Sequence, residues 1–405
     1  MLNFLIIELM KLLYIGFAVD RELENKLHGI SVAGNKMQIN LLKKLYKQVD
    51  SLNVISIYPN AAYPKDRELV IKSRNVSISS GTDNIMSKIP FMLNLPVIKN
   101  LFEMYSTYRE AKKIIQQNDI HKVLIFNAFP STAYAALRLQ KKYGCEITCL
   151  LADLPIDDSV KTKGLMKYLR ARMDLYTQKA IKKMDKIIAL NERAAELYAP
   201  NVPHLVMEGA VDIDQIDDFR YIVPARRNVV FTGSLQKHNG IVEVVDAFKL
   251  LKDEDVDLDI YGRGEYTDYV IEASKQYPNI HYCGQRSNDE ILLIQKEAFA
   301  LINPRPVSNY ISQVTFPSKI FEYMLSGTPV ITTRLNGFNS EYYDTMYFVE
   351  DNTVNELVTG IKMVLSQTPE QLRQKAYSAY RLVVEKKNWQ MQSERIVKFL
   401  KGNNQ

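Results

Sequence analysis

The chain has 405 residues, of which 46% are hydrophobic and 24% are charged, a balance typical of globular proteins. This length exceeds what one hydrophobic core usually supports, so we expect two domains of roughly 150 to 200 residues each. The formal net charge of +6 is modest, and without a recognition motif it argues against nucleic acid as a partner.

The first 20 residues, MLNFLIIELMKLLYIGFAVD, are apolar enough to suggest a signal peptide or a membrane anchor. Glu8 and Lys11 interrupt them, and the uninterrupted apolar stretches are shorter than the roughly 20 residues of a membrane span. The positive leader and small-residue cleavage site of a signal peptide do not follow in the expected order. We therefore predict a first buried strand from Lys11 to Val19.

Apolar, β-branched segments alternate with amphipathic helical segments through the first half of the chain. The predicted strands are KLLYIGFAV, NVISIYP, KVLIFNA, EITCLLAD, KIIALN and HLVMEGA. Buried strands that alternate with crossover helices are typical of a doubly wound α/β domain with a mostly parallel sheet.

The same alternation starts again in the second half, with the strands NVVFTGS, VDLDIYGRG, IHYCGQR, AFALINPR and PVITTRL. We predict an N-terminal domain over residues 1–210, a C-terminal domain over 211–385, and a C-terminal helix over 386–405 that crosses back to the first domain. Ligands of such sheets bind beyond the carboxyl ends of the strands.

The three cysteines, Cys145, Cys149 and Cys283, are too few for a disulfide framework. Cys145 and Cys149 fall on the same side of a predicted strand, where we expect buried free thiols. No Cys/His cluster has the spacing of a zinc site, so we predict no metal ligands. These features favour the reducing cytoplasm.

Two glycine-containing turns follow predicted strands. In FTGSLQKHNG, Gly233 ends a strand and is followed by Ser234 and Lys237, an arrangement that aims backbone N–H groups and an ammonium at an anion. In GISVAGNKMQ, Gly29 and Gly34 predict a similar flexible loop between the first strand and the first helix. Ordinary α/β connectivity produces the same pattern, so neither turn alone defines a phosphate site.

The segment FPSKIFEYMLSGTPVI predicts a short helix followed by a strand. Pro317 and Ser318 suit a helix start, and Gly327 suits a helix stop. The side chains on the apolar side of this helix are Ile320, Phe321, Met324 and Leu325. Those on the polar side are Lys319, Glu322, Tyr323 and Ser326. The polar side either forms a surface ion pair between Lys319 and Glu322 or faces a ligand.

The order of VMEGAVD, VVFTGSLQKHNGIVEVVDAF, LDIYGRGE, IHYCGQRSNDE, LINPR and FPSKIFEYMLSGTPVI resembles the nucleotide-sugar-binding domain of GT-B glycosyltransferases of retaining family 4. The resemblance is strong over residues 205–365 and includes Asn388-Trp389. Across the first 200 residues only the architecture and the glycine loop agree. It implies the GT-B fold, in which two Rossmann-like, doubly wound parallel-sheet domains face each other across a cleft.

The resemblance assigns donor-binding roles to particular residues. Glu322 would bind the ribose hydroxyls, since one carboxylate offers two acceptor oxygens to a vicinal diol. Ser318 and Lys319, at the start of the same helix, would meet the diphosphate. The residues expected opposite them are Gly233, Ser234 and Lys237. Arg305 would contact phosphate or the donor sugar, and those expected to border the base are Gly284 and Arg286.

The chain departs from the family pattern at several positions. The second glutamate of the pattern is replaced by Val314, and its arginine and lysine by Ser234 and Asn239. Where an N-terminal histidine often lies near the donor sugar, the strand end reads LLADLP, so Asp153 is the nearest polar candidate. A loop or helix-capping role for Asp153 is an equal alternative.

The resemblance implies a hexosyl-type glycosyltransferase that takes a nucleotide-sugar as donor substrate and needs no cofactor or metal. The leaving diphosphate would be stabilised by basic groups, and the catalytic candidates are Asp153, Arg305 and Lys319. A glycan or polyprenyl-linked acceptor would bind the N-terminal domain, in capsular, exopolysaccharide or related cell-surface glycan assembly. The alternatives are a non-catalytic GT-B-like partner of an active transferase and a nucleotide-sugar epimerase.

Two segments could rest on an anionic membrane. Residues 161–186 contain nine Lys or Arg and two Asp, and residues 87–102 read SKIPFMLNLPVIKNLF. A solvated helix face and ordinary core packing are the respective alternatives. We therefore expect a cytoplasmic protein that can bind peripherally to the inner face of the plasma membrane.

Overall fold

The computed structural model describes residues 10–28, 30–78, 84–96, 98–154, 165–213, 216–317 and 319–402. They fall into two compact units, the first running to Met207 and resuming at Trp389, the second spanning Glu208–Asn388. Each unit contains a mainly parallel sheet with helices between its strands, so the predicted α/β class is confirmed. Gly29 and Ser318, both predicted site residues, lie outside the described residues, as do residues 161–164.

The first unit is built on a mainly parallel sheet. Its strands are β1 (Lys11–Gly16), β2 (Ser51–Ser56), β3 (Val70–Ile71), β4 (Arg74–Ser77), β5 (Met86–Ile89), β6 (Met92–Leu93), β7 (Lys122–Phe126), β8 (Glu146–Leu151), β9 (Lys186–Ala189) and β10 (His204–Val206). Eight described strands pair in the order β10-β9-β8-β7-β1-β2-β5-β4, and β3 pairs with β6. The chain leaves β1 for β2 on one side and later adds β7 on the other, so the strand order reverses between β1 and β7.

The helices of this part are α1 (Arg21–Lys26), α2 (Val32–Tyr46), α3 (Lys99–Asn118), α4 (Pro130–Tyr143), α5 (Leu165–Ile181) and α6 (Glu192–Tyr198). Strand β1 is shorter than the predicted Lys11–Val19, because side chains of α2 accept hydrogen bonds from the backbone N–H groups that follow the strand. Gln38 Oε1 accepts from the Phe17 N–H at 2.8 Å, and Asn35 Oδ1 accepts from the Val19 N–H at 2.9 Å.

The apolar segment 87–102 contributes strands to the fold. Strand β5 pairs with β2 and β4, and Ser87, Ile89 and Met92 are buried. These positions favour core packing over the membrane contact considered for this segment. Cys145 and Cys149 are buried and free, as predicted.

The basic stretch over residues 161–186 includes helix α5. Thr177 and Ile181 are buried, whereas Arg172 and Lys179 are exposed, so one side of the helix packs and the other remains accessible. Within the described ranges, no helix has both the length and the apolar character needed to cross a bilayer. Contact with a membrane surface stays a prediction.

The second unit has an all-parallel described sheet. Its strands are β11 (Asn228–Thr232), β12 (Asp257–Tyr261), β13 (Ile280–Gly284), β14 (Ala300–Asn303), β15 (Val330–Thr333) and β16 (Tyr347–Val349). They pair in the order β13-β12-β11-β14-β15-β16. The strand order reverses between β11 and β14, as it does between β1 and β7 in the first unit.

The helices of the second unit are α7 (Ile241–Leu250), α8 (Thr267–Gln276), α9 (Asn288–Glu297), α10 (Tyr310–Val314), α11 (Lys319–Leu325), α12 (Val354–Leu365) and α13 (Pro369–Lys386). A last helix, α14 (Trp389–Leu400), belongs to the first unit. Lys122 Nζ and Lys186 Nζ donate to the carbonyls of Leu400 and Phe399 at 2.6 and 3.0 Å. The Lys122 ammonium thus satisfies a carbonyl at the end of the helix, and the Lys186 ammonium adds a second donor to the Phe399 carbonyl, which also accepts from the Gly402 N–H.

A buried ion pair joins the two ends of the second unit. Lys387 Nζ lies 3.0 Å from Glu208 Oε1, and the two side chains are only 4% and 3% exposed. Lys387 Nζ also lies 3.0 Å from Glu341 Oε2, and the Val211 N–H donates to the Lys387 carbonyl at 3.0 Å.

Removal of the buried cation should destabilise the protein strongly. We expect Lys387→Met to lower the free energy of unfolding by about 3–5 kcal/mol, because the Glu208 carboxylate would remain buried without its partner. The neighbouring Lys386, with a side chain 58% exposed and paired to Glu341, supplies the control, since Lys386→Met should cost no more than about 1 kcal/mol. Urea unfolding of both variants measures the difference, and equal midpoints would contradict this role.

Candidate functional site

A pocket of ≈ 350 Å³ lies in the second unit where β11 and β14 end. These are the strands between which the order reverses, the place where open α/β sheets bind ligands. Four predicted site residues meet in its walls. They are Gly233, Ser234, Arg305 and Lys319.

The turn after β11 depends on glycine. Gly233 has φ +151°, and a Cβ there would lie 2.8 Å from Lys319 Nζ. The turn after β12 approaches even more closely, since a Cβ on Gly262 would lie 1.7 Å from the Gly233 carbonyl oxygen. Asn239 then closes the turn, because its Nδ2 donates to both the carbonyl and the hydroxyl oxygen of Ser234 at 2.9 Å. Asn239, which replaces the lysine of the family pattern, therefore stabilises this turn.

Lys319 is the first residue of α11, and its Nζ donates to the Thr232 carbonyl oxygen at 3.0 Å. Burial lowers the pKa of the Lys319 ammonium, the negative charge of Glu322 opposes that change, and the positive charge of Arg305 adds to it. The Lys319 side chain as a whole remains exposed, so its ammonium is accessible to an anionic ligand, whose charge would offset the cost of this partial desolvation.

Arg305 follows β14, and its carbonyl oxygen accepts from Thr333 Oγ1 at 2.7 Å. Burial lowers the pKa of Arg305, and burial together with the charge of Arg305 lowers the pKa of His238, which also lines the pocket. Within the described part of the chain, neither Arg305 nor Lys319 has a carboxylate at ion-pair distance. The pocket thus carries positive charge that Glu322 compensates only in part.

Beneath the pocket, a buried hydroxyl group holds the end of β11. Tyr323 OH lies 3.2 Å from the Thr232 nitrogen and 3.0 Å from Thr232 Oγ1. Gln295 Nε2 donates to the same Oγ1 at 3.2 Å. Tyr323 lies on the same side of α11 as Lys319, as predicted, since both contact the Thr232 carbonyl oxygen, but Tyr323 and Ser326 are buried and do not form a water-facing surface. Tyr323 instead satisfies polar groups at the strand end.

Other predicted donor-binding residues lie around the pocket. Lys237 begins a short 3₁₀ turn and is exposed, and neither it nor Glu322 is among the residues that line the pocket. Glu322 is exposed one turn beyond Lys319. Gly284 ends β13 with φ +73°, and Arg286 is exposed two residues later. The binding roles of these residues stay predictions.

In the first unit, Asp153 follows β8 and accepts a hydrogen bond from Asn127 Nδ2 at 2.8 Å. Burial raises the pKa of the Asp153 carboxyl, whereas this hydrogen bond lowers it. Gly34 does not form the predicted flexible loop. It lies in the first turn of α2, where its N–H donates to the Ser31 hydroxyl at 3.1 Å, because Ser31 caps that helix.

Sequence patterns did not indicate His238 or Asn303 as pocket residues. Asn127 was also missed, although a polar residue near the end of the predicted strand KVLIFNA was a usable signal. Within the ranges that the structure describes, no three His, Cys, Asp or Glu side chains are placed to hold a metal ion.

Residues 226–367 match the family model described as Glycosyl transferases group 1. No curated protein sequence matches the chain. Among solved structures, a sucrose-phosphate synthase from Thermosynechococcus elongatus has a TM-score of 0.66 at 12% identity, over 97% of this chain and 98% of that one. Anabaena HepE in complex with UDP has a TM-score of 0.63 at 15% identity, over 97% and 100%.

The lipopolysaccharide outer core galactosyltransferase WaaB is also similar, with a TM-score of 0.63 at 14% identity over 98% of this chain and 100% of that one. At sequence identities of 12–15%, these structural similarities show a shared fold and nothing more. The chain has the fold of the GT-B glycosyltransferases, and the match to the glycosyl transferases group 1 model lies within its second unit.

Proposed function

We propose that the protein is a glycosyltransferase whose second unit binds the diphosphate of a nucleotide-sugar donor. The observation that carries this proposal is the convergence of Lys319 and Arg305 with the Gly233 turn, where β11 and β14 end. The half-buried Arg305 and the accessible ammonium of Lys319, beside an exposed turn, suit a multiply charged phosphate group. The matched family domain and the UDP bound to HepE support the same ligand class.

In the proposed reaction, the acceptor oxygen bonds to the anomeric carbon of the donor sugar while the bond from that carbon to the diphosphate oxygen breaks. The departing phosphate oxygen takes the acceptor proton. Lys319 and Arg305 stabilise the negative charge that develops on the diphosphate, and the pocket orients it. Neither a cofactor nor a metal ion is part of the proposal, and the anomeric configuration of a hexosyl group is retained.

The remaining roles follow the family pattern. Glu322 binds the ribose hydroxyls, the segment containing Gly284 and Arg286 borders the base, and Asp153 acts near the transferred sugar. The acceptor is a glycan or a polyprenyl-linked sugar in cell-surface glycan assembly, for which the similarity to WaaB is the support. The protein would act in the cytoplasm, with α5 available to an anionic membrane surface.

Donor turnover tests the function directly. We expect the purified protein to release nucleoside diphosphate from at least one of a panel of nucleotide-sugars, and Glu322→Ala to reduce that release by about tenfold or more, since a ribose contact would be lost. If no donor bound or turned over, the result would favour the alternative function, a non-catalytic GT-B-like partner of an active transferase. An epimerase would instead change the sugar while it remains attached to the nucleotide. Unchanged activity in Glu322→Ala would contradict the ribose role.

Loss of the pocket arginine should weaken nucleotide binding. We expect Arg305→Gln to raise the Kd for UDP about 10- to 100-fold, because hydrogen bonds to charged groups contribute about 1.5–3 kcal/mol. Lys275→Gln removes an exposed positive charge on α8 and should leave the Kd within about twofold. Isothermal titration calorimetry of both variants provides the comparison. An equal effect of the two substitutions would indicate attraction by overall charge alone.

The affinity for UDP should also depend on pH through Lys319. Its ammonium loses a proton below the usual lysine pKa of 10.5, and a bound diphosphate favours the protonated form. Affinity is therefore highest below the lowered pKa and falls as the pH rises through it. Lys319→Arg should remove this decline, because the guanidinium stays charged. A wild-type Kd that stays constant up to the usual lysine pKa would contradict this role.

A further inference from the structure

A tyrosine hydroxyl and a lysine ammonium share one backbone oxygen beside the pocket. The Thr232 carbonyl oxygen accepts from Lys319 Nζ at 3.0 Å and from Tyr323 OH at 3.2 Å. Thr232 is only 5% exposed and Tyr323 only 2%, so this oxygen depends on donors from the protein. The Lys319 side chain, by contrast, is exposed. One donor is therefore fixed in the interior, and the other belongs to a side chain that reaches solvent.

The directions of the surrounding hydrogen bonds follow from the number of available protons. The Thr232 N–H can only donate, and it does so to Tyr323 OH at 3.2 Å. Gln295 Nε2 can also only donate, and it does so to Thr232 Oγ1 at 3.2 Å. Among the described residues, the one acceptor for the Thr232 hydroxyl proton is Tyr323 OH, 3.0 Å away. The Tyr323 proton is thereby directed to the Thr232 carbonyl oxygen, independently of Lys319.

The ammonium is consequently the donor that this carbonyl oxygen can lose. An acceptor that keeps one hydrogen bond remains satisfied, whereas a buried acceptor that loses its last donor bears the full cost of desolvation. The charge of Arg305 also disfavours the ammonium where it lies, and Glu322 opposes that effect. Because the lysine side chain has a flexible four-carbon stem, its charge can move toward an anion in the pocket.

We propose that Tyr323 is a positioning residue, which keeps the Thr232 carbonyl oxygen paired while the Lys319 ammonium moves from that oxygen to a bound diphosphate. Tyr323 acts on the ligand only through the carbonyl oxygen and the ammonium. Without its hydroxyl group, a diphosphate that drew Lys319 away would leave a buried acceptor unpaired. This inference rests on the proposed function, since it takes the diphosphate of a nucleotide donor as the ligand of Lys319.

A double-mutant cycle tests the coupling between the two side chains, with UDP as the probe and isothermal titration calorimetry of the full chain as the measurement. We expect Tyr323→Phe, which removes only the hydroxyl group, to raise the Kd for UDP about tenfold, because the carbonyl oxygen then retains the ammonium as its last donor. In a Lys319→Met background, the same substitution should change the Kd by less than about twofold. Equal effects in the two backgrounds would overturn the proposal, because they would indicate a direct contact or a general structural role.

Tyr221→Phe is the matched control. Tyr221 is 6% exposed, and its hydroxyl group donates to the Phe299 carbonyl oxygen at 3.0 Å, directly before β14 and thus at the strand end opposite the pocket. Its removal should leave the Kd for UDP within about twofold, although the urea midpoint falls. The urea midpoints of both phenylalanine variants show that they remain folded. An equal rise of the Kd in Tyr221→Phe would overturn the specific role of Tyr323.

The pH dependence of UDP binding provides a readout that a purely structural role would not change. The charged groups that act on Lys319 are Glu322 and Arg305, and the titratable His238 lines the same pocket. All three remain in Tyr323→Phe. In this variant the ammonium no longer shares the carbonyl oxygen, which favours its protonated form in the free protein. The decline of UDP affinity should therefore move to higher pH, and an unshifted decline would contradict the positioning role.

The results separate this inference from the proposed function. Absence of UDP binding by the wild-type protein would contradict both. Sugar transfer together with additive effects of the two substitutions on UDP affinity would support the transferase and overturn the role of Tyr323. Coupled effects on UDP affinity without turnover of any donor would support the role of Tyr323 and contradict the transferase.

Discussion

The carbonyl oxygen of Thr232 joins the last residue of β11 to helix α11. This oxygen accepts a hydrogen bond from Lys319 Nζ at 3.0 Å, and Tyr323 OH lies 3.2 Å from the same oxygen. A buried carbonyl requires such partners, and both come from one helix. The position of the ammonium in the pocket is therefore set by the end of the sheet. The close approach of Gly262 to Gly233 then fixes the neighbouring turn against that point.

Much of the fold could be predicted because buried parallel strands are apolar throughout. Strands β7, β8, β11 and β12 lie within the predicted segments. The segment 87–102 was ambiguous, since its apolar residues suit both a membrane surface and an interior strand, and only the pairing of β5 with β2 separates the two. Short strand β16 was not predicted, because three residues offer too little pattern.

The candidate site could be predicted where function follows a local pattern. Gly233, Arg305 and Lys319 follow a strand or begin a helix, and the pocket contains all three. The burial of Tyr323 was not predicted, because helical spacing does not show that a strand end 91 residues away offers it hydrogen bonds. The contact between Asn127 and Asp153 likewise depends on two strands being neighbours in the sheet.

The ion pair between Lys387 and Glu208 has a consequence for folding during synthesis. The second unit is inserted into the chain of the first, whose last helix, α14, begins only after Asn388. The entire second unit must therefore be synthesised before the last helix of the first unit, α14, is available to pack. By joining the ends of the insert, the buried pair brings α14 back next to the point where the chain left the first unit, which shortens the effective loop that the first unit must close.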